Sequence, residues 1–444
     1  MRTPPPAPPT LLALLLLCLA AAAGPGPSPD PLLEARRARR QRLAEAIGDG
    51  YALLLGQPLT DILMPRQEGH LLYLVAIEEP DAALLIAGSR APALARASAD
   101  AVREMLIVRE HNPRFAQFHA ARAVPGTASE QALGVEAAVG AAAGGSALAQ
   151  EVGALLPPAA RLLLPAYAGG DHAPVREVRR AFVDEIASRR PDIKVEDLHP
   201  TMTSLRAVKD SFEIAALERA VALTLDSFRA ALPAIGPGGS EAEVDGLLLA
   251  AARRGGGRPA YPFVVAGGGN SVFPHYFRND GPLQAGDLLL IDAGASIERY
   301  AADVTRTFPV SGTFTPRQRE IYGIVLRAQR AAIEQVKPGA DFGAVDAAAR
   351  RVIVAAGYGA HFLHATSHHV GLDVHDPGPR LLAAGMTITV EPGIYIAGEG
   401  IGVRIEDVVL VTPEGCRVLS DALAKDPDAV EALLREARAP LRDR

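Results

Sequence analysis

Read from its first residue, the chain sets short apolar runs between polar breaks. Arg2 and a Pro-rich stretch precede the apolar run Leu11 to Ala23. At 13 residues this run falls short of the roughly 20 that a membrane-crossing helix needs, and it suits the hydrophobic part of a secretory signal. Ala21-Ala22-Ala23 offers a small-residue cleavage site before Gly24, so residues 1–23 read as a signal peptide and 24–31 as a Pro/Gly linker. An uncleaved anchor is the alternative. Leu17 stands before Cys18 where a lipoprotein signal needs a small residue, so lipidation is not expected.

Leu32 to Ile47 is rich in Arg, Glu, Ala and Leu and predicts a helix ended near Gly48. Tyr51 to Gly56 is a short apolar run bounded by glycine, which predicts a buried strand. Leu71 to Ala76 and Ala82 to Ala87 read as two more, joined by a polar turn over Glu78-Glu79-Pro80-Asp81. Ala-rich segments from Ser129 to Leu156 read as helical, and Ala160 to Leu164 as another strand. Such alternation predicts an α/β domain over 32–198. A break near Pro191 to Pro200 opens a second domain over 199–430. Its first helix runs from Ser211 to Leu232 with Glu213 and Glu218 on the polar side, and Gly236-Pro-Gly-Gly239 ends it. Ser240-Glu-Ala-Glu243 reads as a capping box for the next helix.

Beyond Gly255-Gly-Gly257 the apolar runs carry acids. Asp287 to Asp292 is a strand that ends in a carboxylate, and Asp303 follows eleven positions after Asp292 in a second strand-like run, Tyr300 to Phe308. Thr387 to Val390 leads into Glu391 in the same manner. Gly402 to Val411 reads as one β run, whose period of two places Arg404 and Glu406 on one face and Asp407 on the other. An acid inside an apolar strand is costly unless paired or bound to metal. Four such acids in one half of the chain are hard to explain as surface charge.

The same half holds His364-Ala-Thr-Ser-His368-His369-Val-Gly-Leu-Asp373-Val-His375-Asp376, four of the chain's 11 histidines within thirteen positions. Such density has two usual chemical explanations, a metal site or proton transfer, beside the plain one of a polar loop. The four carboxylates Asp292, Asp303, Glu391 and Glu406 carry a charge that two divalent ions would neutralise, and His368 completes an oxygen-rich set. Such a set without thiolate suits Mn²⁺, with Zn²⁺ or Co²⁺ as options. Two ions roughly 3.5 Å apart hold a bridging hydroxide and polarise a carbonyl, which is hydrolytic chemistry. His70, His111, His119 and His172 are scattered and read as structural or surface residues.

Composition removes other classes. The formal net charge is −6 with no basic stripe, which excludes a nucleic-acid footprint. Of two cysteines, Cys18 leaves with the signal and Cys416 stays alone, so a thiolate metal site is excluded. No Walker loop, dinucleotide fingerprint, Gly-x-Ser-x-Gly elbow or His-Glu-x-x-His motif competes.

The ordered set Asp292, Asp303, His368, Glu391 and Glu406 lies among His-Val-Gly-Leu-Asp-Val-His-Asp, Val-Glu-Pro-Gly-Ile-Tyr and Gly-Ile-Gly-Val-Arg-Ile-Glu-Asp. It resembles the pita-bread metallopeptidases, with Xaa-Pro aminopeptidase (aminopeptidase P) and prolidase most similar. Leu205 to Ala215 resembles the start of that family's catalytic domain. Arg66 to Ala76, with Glu79-Pro-Asp-Ala, is similar to its creatinase-like N-terminal domain. The resemblance implies a creatinase-like α/β domain followed by an α+β pita-bread catalytic domain. Asp292 would bind one metal, His368 and Glu391 the other, and Asp303 and Glu406 would bridge them. Glu391 would also handle protons near the bridging hydroxide. His275 and His375 match histidines that bind substrate and stabilise the oxyanion, Arg404 an arginine that organises the network, and His364 a further active-site histidine. His369 reads as a neighbour and not a ligand.

Departures from the pattern are Ala365 for glycine, Val408 for a frequent second aspartate, and Leu72-Tyr73 where an aromatic pair is usual. The last puts peptide-length preference and subunit contacts in doubt. The expectation is a periplasmic or secreted homo-oligomer (dimer or tetramer) that acts on peptides with proline at the second position. A prolidase-type dipeptidase is the alternative, and a non-catalytic binding protein on the same fold the remote one.

Overall fold

A computed structural model describes residues 30–56, 69–95, 101–110, 123–142, 145–166 and 173–442. The expected signal peptide, all but the end of the linker, and His111, His119 and His172 lie outside the described residues. Among the described residues no helix is long and apolar enough to cross a membrane.

The first half builds helix α1 (Pro31–Ile47), strand β1 (Tyr51–Leu55), α2 (Gly69–Val75), β2 (Ala83–Ala87), β3 (Glu104–Arg109), α3 (Thr127–Leu133), β4 (Ala137–Ala141), α4 (Gly145–Leu155), β5 (Arg161–Leu164), α5 (Ala173–Arg189), β6 (Lys194–Asp197) and α6 (His199–Ala207). The strands form one mixed sheet in the order β4-β3-β2-β1-β5-β6. Period-two alternation sends Tyr51, Leu53 and Leu55 to one apolar cluster with α4 and α5. Ala52 and Leu54 face the other, which holds Leu43 of α1, Tyr73 of α2 and Met202 of α6. Both sheet faces are thus covered, which explains why β1 reads as an unbroken apolar run.

Two expectations fail here. Leu71 to Ala76 is not a strand but the body of α2, all seven residues of which are buried. A uniformly apolar run has no period, so a buried helix and a buried strand look alike in it. The Ala-rich stretch Ser129 to Leu156 is not all helical: β4 interrupts it and pairs in parallel with β3.

The second half opens with α7 (Ser211–Ala231) and α8 (Glu241–Arg254). β7 (Arg258–Pro259), β8 (Val264–Gly267), β9 (Leu288–Ala293), β10 (Ala295–Ile297), β11 (Tyr300–Ala301) and β12 (Val304–Pro309) follow. Then come α9 (Pro316–Ile333), α10 (Phe342–Ala355), β13 (Thr387–Val390), β14 (Gly393–Ile396), β15 (Ile401–Arg404), β16 (Asp407–Thr412), β17 (Gly415–Val418) and α11 (Pro427–Arg442). The order is twofold: a helix pair followed by a three-stranded antiparallel sheet, β12-β9-β8 and then β13-β16-β17. The run Gly402 to Val411, expected as one strand, divides at Ile405-Glu406 into β15 and β16, which join different sheets.

Asp210 caps α7 and forms a capping box with Glu213. Glu213 is not on a polar face, as expected, but buried against Arg39 and the Tyr300 hydroxyl. The halves meet along this seam. Arg39 of α1 pairs with Asp210, and buried Arg206 of α6 donates to Asp373 at 2.6 Å and also to Asp376. Lys209 reaches Asp376 from the same side at 3.0 Å. His70, expected to be structural, packs beside Arg206 with 3.0 Å between Nδ1 and Nη1.

Candidate metal centre

Two antiparallel ladders deliver the acids. In β9–β12, Asp292 lies opposite Thr305 and Ala293 opposite Val304, so Asp303 sits just before β12 at the ladder's open end. In β13–β16, Val390 lies opposite Asp407, which leaves Glu391 and Glu406 together beyond the last pair. Each ladder therefore ends in two carboxylates.

His368 joins them from the side. Its amide donates to Thr389 Oγ1 at 3.1 Å, and the Thr389 amide donates back to the His368 carbonyl at 2.9 Å. Its Nδ1 lies 2.9 Å from the His369 carbonyl; a carbonyl only accepts, so Nδ1 carries a proton, and Nε2 either offers its lone pair to a metal ion or, in the protonated ring, donates to the acids. Nε2 lies 3.4 Å from Asp303 Oδ2 and 3.3 Å from Glu391 Oε1. Ligand atoms of Asp303, His368 and Glu406 all lie within 4.8 Å of one another.

Burial first, and then the crowding of like charge, sets the protonation of these acids. Burial pushes the Glu391 carboxyl up to about 7, helped by Asp303 and Asp292 and opposed by His368 and Arg404. Burial also lifts Asp292 to about 6, against the pull of Arg404. Glu406 is pushed well above the carboxylate range by burial and by Asp303, Glu391 and Asp292. Burial pushes Asp303 up too, but the hydrogen bond and charge of His368 outweigh it and hold Asp303 below its ordinary value. Burial works against a charged His368, yet Asp303 and Glu391 raise it to about 9.

Around the acids stands a cage of donors. Arg404 pairs with Asp292 and reaches the Tyr395 hydroxyl at 3.0 Å and Thr305 Oγ1 at 3.0 Å. Thr305 Oγ1 in turn donates to Glu406 Oε2 at 2.6 Å. The Tyr261 hydroxyl lies 2.6 Å from Asp292 Oδ1 and also contacts Asp303. His364 Nε2 lies 2.8 Å from the Tyr395 hydroxyl, and its Nδ1 is 3.8 Å from Glu391 Oε2. Burial, then the charge of Arg404, lowers His364 to about 4. His375 is exposed, with its ring edge-on to His368 at 4.2 Å between centroids. His275 is exposed too and stacks on Phe277. His369 turns away: its Nε2 faces the Pro379 carbonyl at 2.9 Å and its ring packs on Phe342.

Every expected metal-ligating residue thus reaches one cluster, and Arg404, His364 and His375 border it. Arg404 and Glu406 do share a side, away from Asp407. Sequence reasoning missed Tyr261, Thr305 and Tyr395. Tyr395 stands inside the quoted Glu-Pro-Gly-Ile-Tyr motif, a signal that was available. Tyr261 lies between two prolines, with nothing in its neighbourhood to mark it.

The residues fit divalent metal. Four carboxylates, Asp303 and Glu406 buried and Asp292 and Glu391 partly so, face one arginine and one imidazole, and their mutual repulsion adds to burial in pushing Glu391 and Glu406 up. Cations at that point would remove the repulsion, and an oxygen-rich set with one imidazole and no thiolate suits hard-to-borderline ions.

Residues 215–413 match Metallopeptidase family M24. A Xaa-Pro aminopeptidase of Haemophilus influenzae is 32% identical over 436 residues, which span 89% of this chain and 96% of that protein. A Xaa-Pro dipeptidase of Pyrococcus furiosus is 40% identical over 235 residues, 51% of this chain and 66% of that protein. Among solved structures, aminopeptidase PepP of Pseudomonas aeruginosa superposes with a TM-score of 0.81 at 29% identity, covering 92% of this chain and 99% of that one. The chain belongs to metallopeptidase family M24 and has the two-domain pita-bread architecture. Within that family it is a metallo-exopeptidase, a hydrolase of the Xaa-Pro aminopeptidase group.

Proposed function

We propose that the protein is an exported, dinuclear Xaa-Pro aminopeptidase that releases the N-terminal residue of peptides with proline second. The observation that carries this is the meeting of Asp292, Asp303, His368, Glu391 and Glu406 from two ladder ends and one side loop. Two divalent ions held there, Mn²⁺ before Zn²⁺ or Co²⁺, would supply a hydroxide nucleophile and polarise the scissile carbonyl.

The chain's own groups do the rest. Glu391, whose carboxyl burial pushes up to about 7 in the metal-free centre, lies beside His368 and is placed to pass a proton to the departing proline nitrogen. Asp303 and Glu406 would hold the ions together with Asp292, which Arg404 steadies. His364 stays neutral at pH 7 and is fixed by Tyr395. His375 and His275, both exposed, are open to a bound peptide and take the roles of substrate binding and oxyanion stabilisation. Proline fixes φ and lacks an amide donor, so a pocket for it needs shape more than hydrogen-bond acceptors.

A dipeptidase is the second reading, favoured by the identity with the Pyrococcus furiosus enzyme over half of this chain. The match to an aminopeptidase along nearly the whole chain supports the first. Digestion of Xaa-Pro beside Xaa-Pro-Yaa-Yaa with Mn²⁺ separates them. Release of Xaa from the tetrapeptide is expected; cleavage confined to the dipeptide would overturn the aminopeptidase reading. A periplasmic or secreted location and a dimeric or tetrameric state belong to the same proposal, and cell fractionation and light scattering test them.

A further inference from the structure

Glu241 is a fully buried carboxylate on the first turn of α8, and its hydrogen bonds among the described residues go to a loop and not to the acids of the metal centre. The sequence pointed to its neighbours Ser240 and Glu243 as a capping box. Ser240 does accept from the Glu243 amide at 3.2 Å, but Glu241 turns inward and does something else. Its Oε1 accepts from the Gly267 amide at 2.7 Å and from Asn270 Nδ2 at 2.8 Å. Its Oε2 accepts from the Gly281 amide at 2.6 Å and from the Tyr276 hydroxyl at 3.0 Å. The Glu241 amide also donates to the Gly281 carbonyl at 2.9 Å.

These partners belong to one loop. Gly267 and Gly281 are its two ends, and Asn270 and Tyr276 lie inside it. One carboxylate thus closes the loop at its base and holds it at two interior points. The fit is close: a Cβ on Gly281 would lie 2.9 Å from both Asn270 Nδ2 and Glu241 Oε2. The loop carries His275, next to Tyr276. On its other side it rests on β15: the Gly402 amide donates to Ser271 Oγ at 2.9 Å, and Arg404 Nη1 contacts the Pro274 carbonyl at 3.4 Å. A Cβ on Gly402 would fall 1.9 Å from the Ser271 carbonyl oxygen, so β15 approaches the loop as closely as a backbone can.

We propose that Glu241 is a positioning residue that sets His275 against the metal centre by fixing the loop 267–281, an assignment that rests on the aminopeptidase reading for the role of His275. The ring that His275 stacks on, Phe277, belongs to the same loop, so the placement of the loop sets the place of the histidine. The four bonds to Glu241, with the braces on Ser271 and Pro274, supply that placement. Replacing the carboxylate by an amide sets its NH₂ against at least one backbone N–H donor, that of Gly267 or of Gly281, because an amide has one oxygen and one NH₂.

The test compares Glu241→Gln, His275→Ala, the double variant and Tyr276→Phe in the full, Mn²⁺-loaded chain. Glu241→Gln is expected to lower kcat/KM for an Xaa-Pro-Yaa peptide on the order of 10²-fold, as misplacement by about 1 Å does. It should add little to His275→Ala, since both act on one group. Tyr276→Phe, which removes one of the four bonds to Glu241 together with the hydroxyl's contacts to Asp280 and Asn270 in the same loop, should show the same pattern on a smaller scale. Hydrogen–deuterium exchange should quicken over 268–280 in Glu241→Gln and not elsewhere. Losses that multiply in the double variant, or exchange over 268–280 that stays at the wild-type rate, would overturn the proposal. If Glu241→Gln does not fold, Tyr276→Phe decides by the same two readouts. If the wild type cleaves no peptide, the aminopeptidase reading has failed, and the exchange data alone decide whether Glu241 anchors the loop.

Discussion

Glu406 and Asp407 are chain neighbours that serve opposite sides of the start of β16. Glu406 turns into the acid cluster beside Thr305. Asp407, fully buried, accepts from Arg306 at 2.7 Å, Ser420 at 2.7 Å, Lys425 at 2.7 Å and Gln329 at 2.6 Å. One acid is crowded by like charge, the other is satisfied by two cations. Burial would raise Asp407, but Arg306 and Lys425 hold it far below the carboxylate range.

The two sites therefore respond oppositely to truncation. Asp407→Ala strands the buried Arg306 guanidinium and is expected to lose about 3–5 kcal/mol of stability. Glu406→Ala, in metal-free protein, relieves repulsion and is expected to be neutral or stabilising while it weakens Mn²⁺ binding. Urea unfolding of the two metal-free variants checks this; equal losses would contradict it.

The metal-free protein carries a pH signature. Asp292 at about 6 and Glu391 at about 7 lie above their ordinary 3.8 and 4.5, so stability falls as pH rises through those values. His368, raised from 6.5 to about 9, contributes stability that is complete below 6.5 and is lost as pH rises through 9. His364, lowered from 6.5 to about 4, acts the other way, but only as pH falls below 6.5. Between about pH 6.5 and 9 the metal-free melting temperature should therefore fall, and saturating Mn²⁺ should abolish the fall because the ions favour deprotonated ligands. A metal-free melting curve that does not move across this window contradicts the acid-cluster account.

Tyr261 supplies a sharper probe, because its hydroxyl touches Asp292 and Asp303 together. Removing groups that orient ligands typically weakens metal binding about 10–100-fold. Tyr261→Phe should therefore bind Mn²⁺ that much more weakly with its unfolding midpoint little changed. Competition titration against a chelating indicator reads this directly, and unchanged affinity would show the hydroxyl to be incidental.

Much of the centre was legible because its acids break a rule: a carboxylate at the end of an apolar strand stands out against period-two alternation. Asp292 and Glu391 show that signal at strand ends, Glu406 interrupts an apolar β run, and His368 stands in the densest histidine run of the chain. What failed to show has a common cause. Leu71 to Ala76 lies under apolar cover on all sides, so no period survives to separate helix from strand. The division of the 402–411 run at Ile405-Glu406 depends on β15 pairing with β14 while β16 pairs with β13. The burial of Glu213 depends on Arg39, and that of Glu241 on a loop that begins 26 residues later. Contacts between distant segments decide these positions, and local pattern carries no trace of them.

The central claim is that this cluster is a two-ion centre. Counting Mn²⁺ per chain by plasma mass spectrometry, after loading and desalting, tests it in wild type and Asp303→Ala. Asp303 is the expected bridge, so the wild type should retain two ions and the variant should lose both. Retention of no Mn²⁺ by the wild type, or of two ions by Asp303→Ala, would contradict the account.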